Sequence, residues 1–281
     1  MSPPIPHQLF SSGNIMSVRV PRKRYPTDLT ARRWGHIRRL IPPAKKGGRP
    51  REHSTREIVN AIFYILRSGC AWRLMPHDFP PWQTVYGYFR AWRKDGTWEK
   101  LNRILTGRVR KKEGRRRTPS AAVIDSQSVK TSHQKGIRGF DGGKLVTGRK
   151  RHILVDTLGL LITVAVHSAK ISDSQGSKSV FAKLFRKLSY FPRLQLVWAD
   201  KAYQGAIHWL ARLLNLRLEL ILRPQNVKGF ILLPRRWVVE RTFSWLGQYR
   251  RLSKDYESLP ETSEALIYAA MTNLMLCRLG E

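Results

Sequence analysis

The chain has 281 residues, with 52 Lys+Arg against 19 Asp+Glu for a formal net charge of +33, and 42% hydrophobic and 10% aromatic residues. Nine Trp and ten Phe exclude a disordered basic tail, and the length predicts two folded units. So large a positive charge repels itself unless a polyanion is near, which points to nucleic acid; no apolar run approaches the ~20 residues of a bilayer span, and the start MSPPIPHQLF has no basic-then-apolar leader, so a cytoplasmic, nucleoid-associated protein with no membrane partner is expected.

Residues 1–24, with Pro3, Pro4, Pro6 and Pro21 and no helical period, read as a flexible leader. From 25 to 107 the pattern is helical. Thr30 is placed to cap a first helix with Trp34, Ile37 and Ile41 on one face, stopped by Pro42-Pro43. A loop rich in Gly, Pro and charge, from Lys45 through Arg49 to Arg51, leads to Ser54-Thr55-Arg56-Glu57, which has the form of a capping box ahead of Val59, Ile62, Phe63 and Leu66. A third helix turns Trp82, Val85, Tyr86, Phe89 and Trp92 inward and Gln83, Thr84, Arg90, Arg93 and Lys94 outward; a fourth carries Trp98, Leu101, Ile104 and Leu105. Such a unit suits helix-turn-helix docking in a major groove, and equally a plain bundle with solvated charges.

The run RVRKKEGRRR falls in residues 108–118, which read as a solvated basic linker. Residues 1–118 carry a net +20 and residues 119–281 a net +13, so both parts can face one polyanion. Beyond the linker the pattern turns to short β runs. Strands are expected at 121–125, 151–155 and 160–166, the last two joined by a hairpin at Asp156-Thr157-Leu158-Gly159. A helix at 174–188, a strand at 194–200, a helix at 205–214, a strand at 218–222 and helices at 235–246 and 262–279 follow. The order β-β-β-α-β-α-β-α predicts a mixed five-stranded sheet with helices, an α/β ribonuclease-H-like domain spanning 119–281 behind the all-α unit. Cys70 and Cys277 lie far apart in apolar surroundings and predict reduced thiols, with neither disulfide nor zinc site.

Between residues 119 and 250 the acids are Asp125, Asp141, Asp156, Asp173, Asp200, Glu219 and Glu240. Asp125 follows Ala121-Ala122-Val123-Ile124 and Asp200 follows Leu196-Val197-Trp198-Ala199, so both are expected at strand ends, where α/β sheets open their crevices. Glu240 is expected mid-helix on a buried side among Trp237, Val238, Val239 and Phe243, where an unpaired acid is costly. Brought within about 4 Å, two ionised acids repel by roughly 4 kcal/mol at an effective dielectric of 20. Magnesium or manganese relieves that repulsion, and two such ions support phosphodiester attack. The bland alternatives are turn-forming acids at 125 and 200 and an ion pair of Glu240 with Arg236 or Arg241. Asp156 fits its turn, Asp173 a helix start, Glu219 an outward strand position and Asp141 a loop, while His152 and His167 read as ordinary strand residues.

Four segments, Ile124-Asp125-Ser126-Gln127-Ser128-Val129-Lys130, Lys144 through Gly148-Arg149-Lys150-Arg151-His152 to Asp156, Trp198-Ala199-Asp200-Lys201-Ala202-Tyr203 and Val239-Glu240-Arg241-Thr242-Phe243-Ser244-Trp245-Leu246, strongly resemble the insertion-sequence-five family of bacterial DDE transposases. So do Gly47-Gly48-Arg49-Pro50, Cys70-Ala71-Trp72-Arg73 and Pro80-Pro81-Trp82-Gln83-Thr84-Val85-Tyr86 in the first unit, and about residues 25–279 are covered. The resemblance implies a catalytic domain in which Asp125, Asp200 and Glu240 bind divalent metal, cleave the ends of a DNA element and join the freed 3′-hydroxyls to target DNA. The family's signature around the glutamate is met by Arg236, one turn ahead of Glu240, but Leu233 stands in its Tyr place and Gly247 in its Lys place, leaving Arg250, Arg251 or Lys254 to supply a cation. Double-stranded DNA is the expected partner, held by these cations together with Lys144, Arg149, Lys150, Arg151, Arg236 and Arg241 and by the outward residues of the first unit. A homodimer or higher assembly is expected, because two element ends must be paired. A catalytically retired DNA-binding regulator and a structure-selective nuclease of the same fold are the alternatives.

Overall fold

A computed structural model describes residues 22–43, 47, 51–132, 136–222 and 234–280. Most of the expected leader, and Arg49 and Leu233, lie outside the described residues. The leader's last residues are part of the fold: Arg22 pairs with Asp28 at 2.8 Å and Glu57 at 2.8 Å and stacks over Phe79.

Helix α1, Ala31–Ile37, starts as expected, with the Thr30 hydroxyl accepting from Arg33 N at 3.2 Å. Helix α2, Thr55–Ser68, buries Ile58, Val59, Ile62, Phe63, Ile65 and Leu66. Its capping box does not close: Ser54 makes no side-chain cap bond, and the Glu57 carboxylate is taken by Arg22 and by the Asn60 amide. The helix stops at Gly69, whose φ of 76° and approach to Arg250 leave no room for a side chain, since a Cβ there would stand 2.9 Å from that of Arg250. Helix α3, Trp82–Lys94, buries Val85, Phe89 and Trp92, and helix α4, Thr97–Lys112, follows after Asp95-Gly96. The expected linker therefore begins inside α4. Val109 and Arg110 are buried there, contrary to a solvated run, because the Arg110 guanidinium meets the buried Asp156 carboxylate.

The strands are β1 Ala121–Lys130, β2 Gly139–Asp141, β3 Val146–Asp156, β4 Leu161–Ser168, β5 Leu196–Ala199 and β6 Arg217–Leu220. Helices α5 Asp173–Phe185, α6 Ile207–Leu214, α7 Trp237–Gly247 and α8 Pro260–Gly280 complete the order. The sheet is mixed: β3 runs antiparallel to both β4 and β1, then β1, β5 and β6 run parallel, with the three-residue β2 added on β3. The short β2 is the strand the sequence pattern did not reveal. The hairpin between β3 and β4 turns at Gly159, whose N–H bonds Asp156 O at 2.9 Å.

Alternation along the strands sends side chains to two cores. On one face Ala122, Ile124 and Leu154 pack with Val180, Phe181 and Leu184 of α5 and Leu210 of α6. On the other, Val123, Ile153 and Val155 join Val239 and Leu246 of α7, Ile267, Met271 and Leu276 of α8, and the buried residues of α1 to α4 in one cluster. Helix α8 is thus shared, lying against both β4 and the N-terminal helices. Each large apolar side chain so buried contributes roughly 1.5–3 kcal/mol. Among the described residues no helix is long and apolar enough to cross a membrane.

Candidate active site

Strand β1 outlasts its parallel neighbour. The β1–β5 pairing covers Ala121 to Val123, and β5 ends at Ala199, so Asp125 lies just past the last paired residue on an edge that β5 has vacated. The sequence pattern placed Asp125 at a strand end; it lies mid-strand instead, because Ser126 to Lys130 continue in register with His152 to Gly148 of β3. Asp200 does end its strand. It caps the 3₁₀ turn Lys201–Ala206, its Oδ1 accepting from Ala202 N at 2.9 Å. Glu240 departs from expectation: it sits in the first turn of α7 with its side chain 50% exposed, because Val238, Val239 and Thr242 form the buried side of that helix.

These three acids converge on one cation. Arg236 Nη2 stands 3.6 Å from Asp125 Oδ2, 3.6 Å from Asp200 Oδ2 and 4.0 Å from Glu240 Oε1. No two of those oxygens can be farther apart than the sum of their distances to that nitrogen, which is well under a nanometre. Asp125 is the most enclosed. Burial pushes its carboxyl up to about 6, against the lowering effects of the Ser126 N–H and the Arg236 charge, and the neighbouring Asp200 charge adds to the rise. All three donors are hard oxygens at the open edge of β1, a set that suits magnesium or manganese. With Arg236 between them they are spread: among the described residues no group of three His, Cys, Asp or Glu side chains is closed tightly enough to hold an ion.

Behind β1, on the α5 face, lies a second polar group that the sequence reading passed over. Ser126 and Ser128 face His152 and Lys150 in register. The buried Lys150 ammonium bridges Asp173 at 3.0 Å and Asp141 at 3.2 Å, while the Ser126 hydroxyl donates to Asp173 and the Ser128 hydroxyl to Asp141. Burial would raise the Asp141 carboxyl, yet the donors Ser128, Lys150 and Lys144 N–H hold it at about 2. His152 is driven down to about 3 by burial and by His167, stacked on it at 4.8 Å, so it is neutral; its Nδ1 lies 3.1 Å from the Tyr203 hydroxyl. Helix α5 crosses this layer at Gly176, where a Cβ would stand 2.3 Å from His167 Nε2. Serines and a histidine at alternate positions on paired strands were the available signal. Asp141 and Asp173 do shape a turn and a helix start, but each is also tied to this layer.

The candidate DNA-contacting residues divide by exposure. Gln83, Arg90, Lys94, Lys144, Arg250 and Lys254 are exposed, with Lys144 Nζ also donating to Ser126 O at 3.0 Å beside Asp125. Thr84 is half-buried, Arg51 binds the Thr55 hydroxyl over the Tyr88 ring, and Arg93 donates to the Thr262 hydroxyl. Arg241 bonds Leu158 O between the rings of Trp237 and Trp245. Arg149, Arg151 and Arg251 are buried and turned inward: Arg149 to Asp255, Glu257 O and Ser258 O, Arg151 to Leu252 O and Lys254 O, Arg251 to Glu257. As they stand, these three and Lys150 are spent on the chain itself and present no donor to a phosphate.

Residues 29–102 match the family described as "Putative transposase of IS4/5 family (DUF4096)", and residues 116–275 match "Transposase DDE domain". Among curated proteins, the chain is 26% identical over 113 residues to "Uncharacterized protein y4sN" of Sinorhizobium fredii, covering 40% of this chain and 84% of that one. It is 27% identical over 107 residues to "Insertion element IS402 uncharacterized 16.2 kDa protein" of Burkholderia cepacia, covering 34% and 69%. No solved structure shows significant similarity. With the DDE domain match extending over more than half of its length, the chain belongs to the DDE transposases of the IS4/5 family.

Proposed function

We propose that the protein binds the terminal inverted repeats of an insertion sequence, cleaves DNA strands there and transfers the resulting 3′-hydroxyls into target DNA. The observation that carries this reading is the convergence of Asp125, Asp200 and Glu240 on a single point at the open edge of β1. A ribonuclease-H-like sheet is supported by the strand order, an antiparallel β4-β3-β1 followed by parallel β5 and β6. In this reading the three carboxylates hold divalent cations, two in number, which when bound supply Lewis-acid activation of the attacking oxygen and stabilise the leaving one. The chain's own residues do the positioning. The Ser126 N–H fixes the Asp125 carboxylate by donating to Oδ1 at 2.7 Å, and the capping bond to Ala202 does the same for Asp200. Exposed Lys144 stands beside Asp125, where it meets a DNA backbone entering the cleft. The exposed side of α3, with Gln83, Arg90 and Lys94, is the surface for the element's end. Two ends must be paired, so the active form is a dimer or larger assembly on DNA.

The test is direct. Sequencing the DNA around the coding region identifies inverted ends, and duplexes carrying them are incubated with purified protein and Mg²⁺ or Mn²⁺. Nicking at the element boundary followed by joining supports the proposal. Nicking without joining indicates a nuclease, and binding with neither indicates a regulator; either result overturns it.

A further inference from the structure

Arg236 is an unusual partner for the acids around it. Its three separations, 3.6, 3.6 and 4.0 Å, are longer than charge-assisted hydrogen bonds, so one nitrogen is shared by three carboxylates and latched to none of them. The backbone is arranged to put it there. Arg235, immediately before it, has φ 73°, a left-handed conformation that an arginine rarely adopts. Its guanidinium is held over the Trp198 ring at 4.5 Å, at the end of β5, and reaches Glu219 of β6 at 4.0 Å. Pinned in this way, the turn directs residue 236 at the start of α7 back over Asp125 and Asp200. Elsewhere the chain pairs its half-buried acids closely: Lys150 with Asp173 at 3.0 Å, Arg251 with Glu257 at 2.6 Å.

Resting on the reading of the trio as a metal site, we propose that Arg236 is an exchangeable counter-ion. It neutralises the three acids in the metal-free protein, leaves them when divalent cations bind, and moves its guanidinium to a DNA phosphate beside the cleft. The space argues for exchange. Magnesium approaches carboxylate oxygen at about 2.0–2.1 Å, so ions drawn to these oxygens and a guanidinium nitrogen centred among them compete for one place and repel each other. The alternative partner is also well matched: a planar guanidinium takes two phosphate oxygens at once, which the spread carboxylates do not offer it here. Because each event vacates or fills the same side chain's place, metal loading and DNA engagement strengthen each other equally. The site is then armed on DNA and quiet away from it.

Mn²⁺ binding to the full-length protein, followed by electron paramagnetic resonance of the free ion, tests this without any turnover. In the absence of DNA, Arg236→Gln is expected to bind Mn²⁺ on the order of tenfold more tightly than the wild type, within the 5–150-fold span of ordinary coupling. Arg236→Lys, which keeps the charge, is expected to stay near the wild type, and Asp200→Asn to lose the binding. Adding a short duplex is expected to tighten Mn²⁺ binding by the wild type by a similar factor and to leave Arg236→Gln unchanged. Thermal midpoints with EDTA and with Mn²⁺ give a second readout, with the larger metal-induced rise in Arg236→Gln. Equal or weaker Mn²⁺ binding by Arg236→Gln, with binding still abolished by Asp200→Asn, overturns the exchange and leaves the metal site standing. Mn²⁺ binding that is insensitive to Asp200→Asn in every variant overturns both.

Discussion

Two groups of acids in this molecule are treated in opposite ways. Asp255 has its own arginine, Arg149 at 3.2 Å, the Ser263 hydroxyl, whose Oγ stands 2.7 and 2.8 Å from the two carboxylate oxygens, and the Glu257 N–H; Asp156 has Arg110 and the N–H groups of Leu158 and Leu160. Asp125, Asp200 and Glu240 instead divide one arginine nitrogen among them. The first arrangement matches each carboxylate with an arginine and with hydroxyl or N–H donors of its own. The second leaves carboxylate charge uncompensated at an open strand edge, which a fold tolerates where the deficit is to be filled by something that arrives later.

Exchanging the two kinds of acid for their amides separates them most sharply. Asp125→Asn, Asp200→Asn and Glu240→Gln are each expected to lower strand cleavage on the order of a thousandfold in a gel assay with labelled element ends, while circular dichroism shows the folded chain. Asp255→Asn reverses the pattern. It strands the buried Arg149, a loss of about 3–5 kcal/mol, and at 2–4 °C per kcal/mol calorimetry should find a midpoint lower by about 6–20 °C, with cleavage per folded molecule retained. A result in which Asp255→Asn abolished cleavage at unchanged stability would erase the distinction between the two groups.

A smaller effect concerns pH. The Asp125 carboxyl is raised in the folded protein to about 6, so its contribution to stability is complete below the unfolded carboxyl range and is lost as pH climbs through about 6. In EDTA at pH 8, Asp125→Asn should therefore melt a few degrees above the wild type, and the gap should narrow at pH 5 and close only below about pH 4, where the carboxyl is protonated in both states. An unchanged gap across that range counts against the burial of this acid. The smallest effect lies on the surface. Arg90→Ala or Lys94→Ala should each flatten the dependence of DNA affinity on salt by about one unit of slope, whereas a buried arginine that meets no phosphate changes stability and leaves the slope alone. Filter binding across a salt series distinguishes the two.

Much of this was legible in the sequence because its signals are local. Apolar runs followed by scarce acids located β1, β5 and the convergence of Asp125 with Asp200, and the hairpin at Asp156-Gly159 announced itself through its turn residues. What escaped is what depends on distant partners. Arg149 and Arg151 look like part of a basic patch until Asp255 and the carbonyls of Leu252, Lys254, Glu257 and Ser258 fold around them from a hundred residues away. Glu240 departs from expectation for a similar reason: Trp237 and Phe243 suggest a buried setting, but the Trp237 ring lies under the Arg241 guanidinium, and Val238, Val239 and Thr242 form the buried side of α7. The capping box failed because Glu57 found Arg22, a partner outside its own helix.

Helix α8 carries one last implication. It furnishes the floor on which α1 to α4 rest and at the same time seals one side of β4. Removing Pro260–Gly280 would therefore uncover the α1 to α4 cluster and the outer side of β4 at once, so the two parts should lose their stability together.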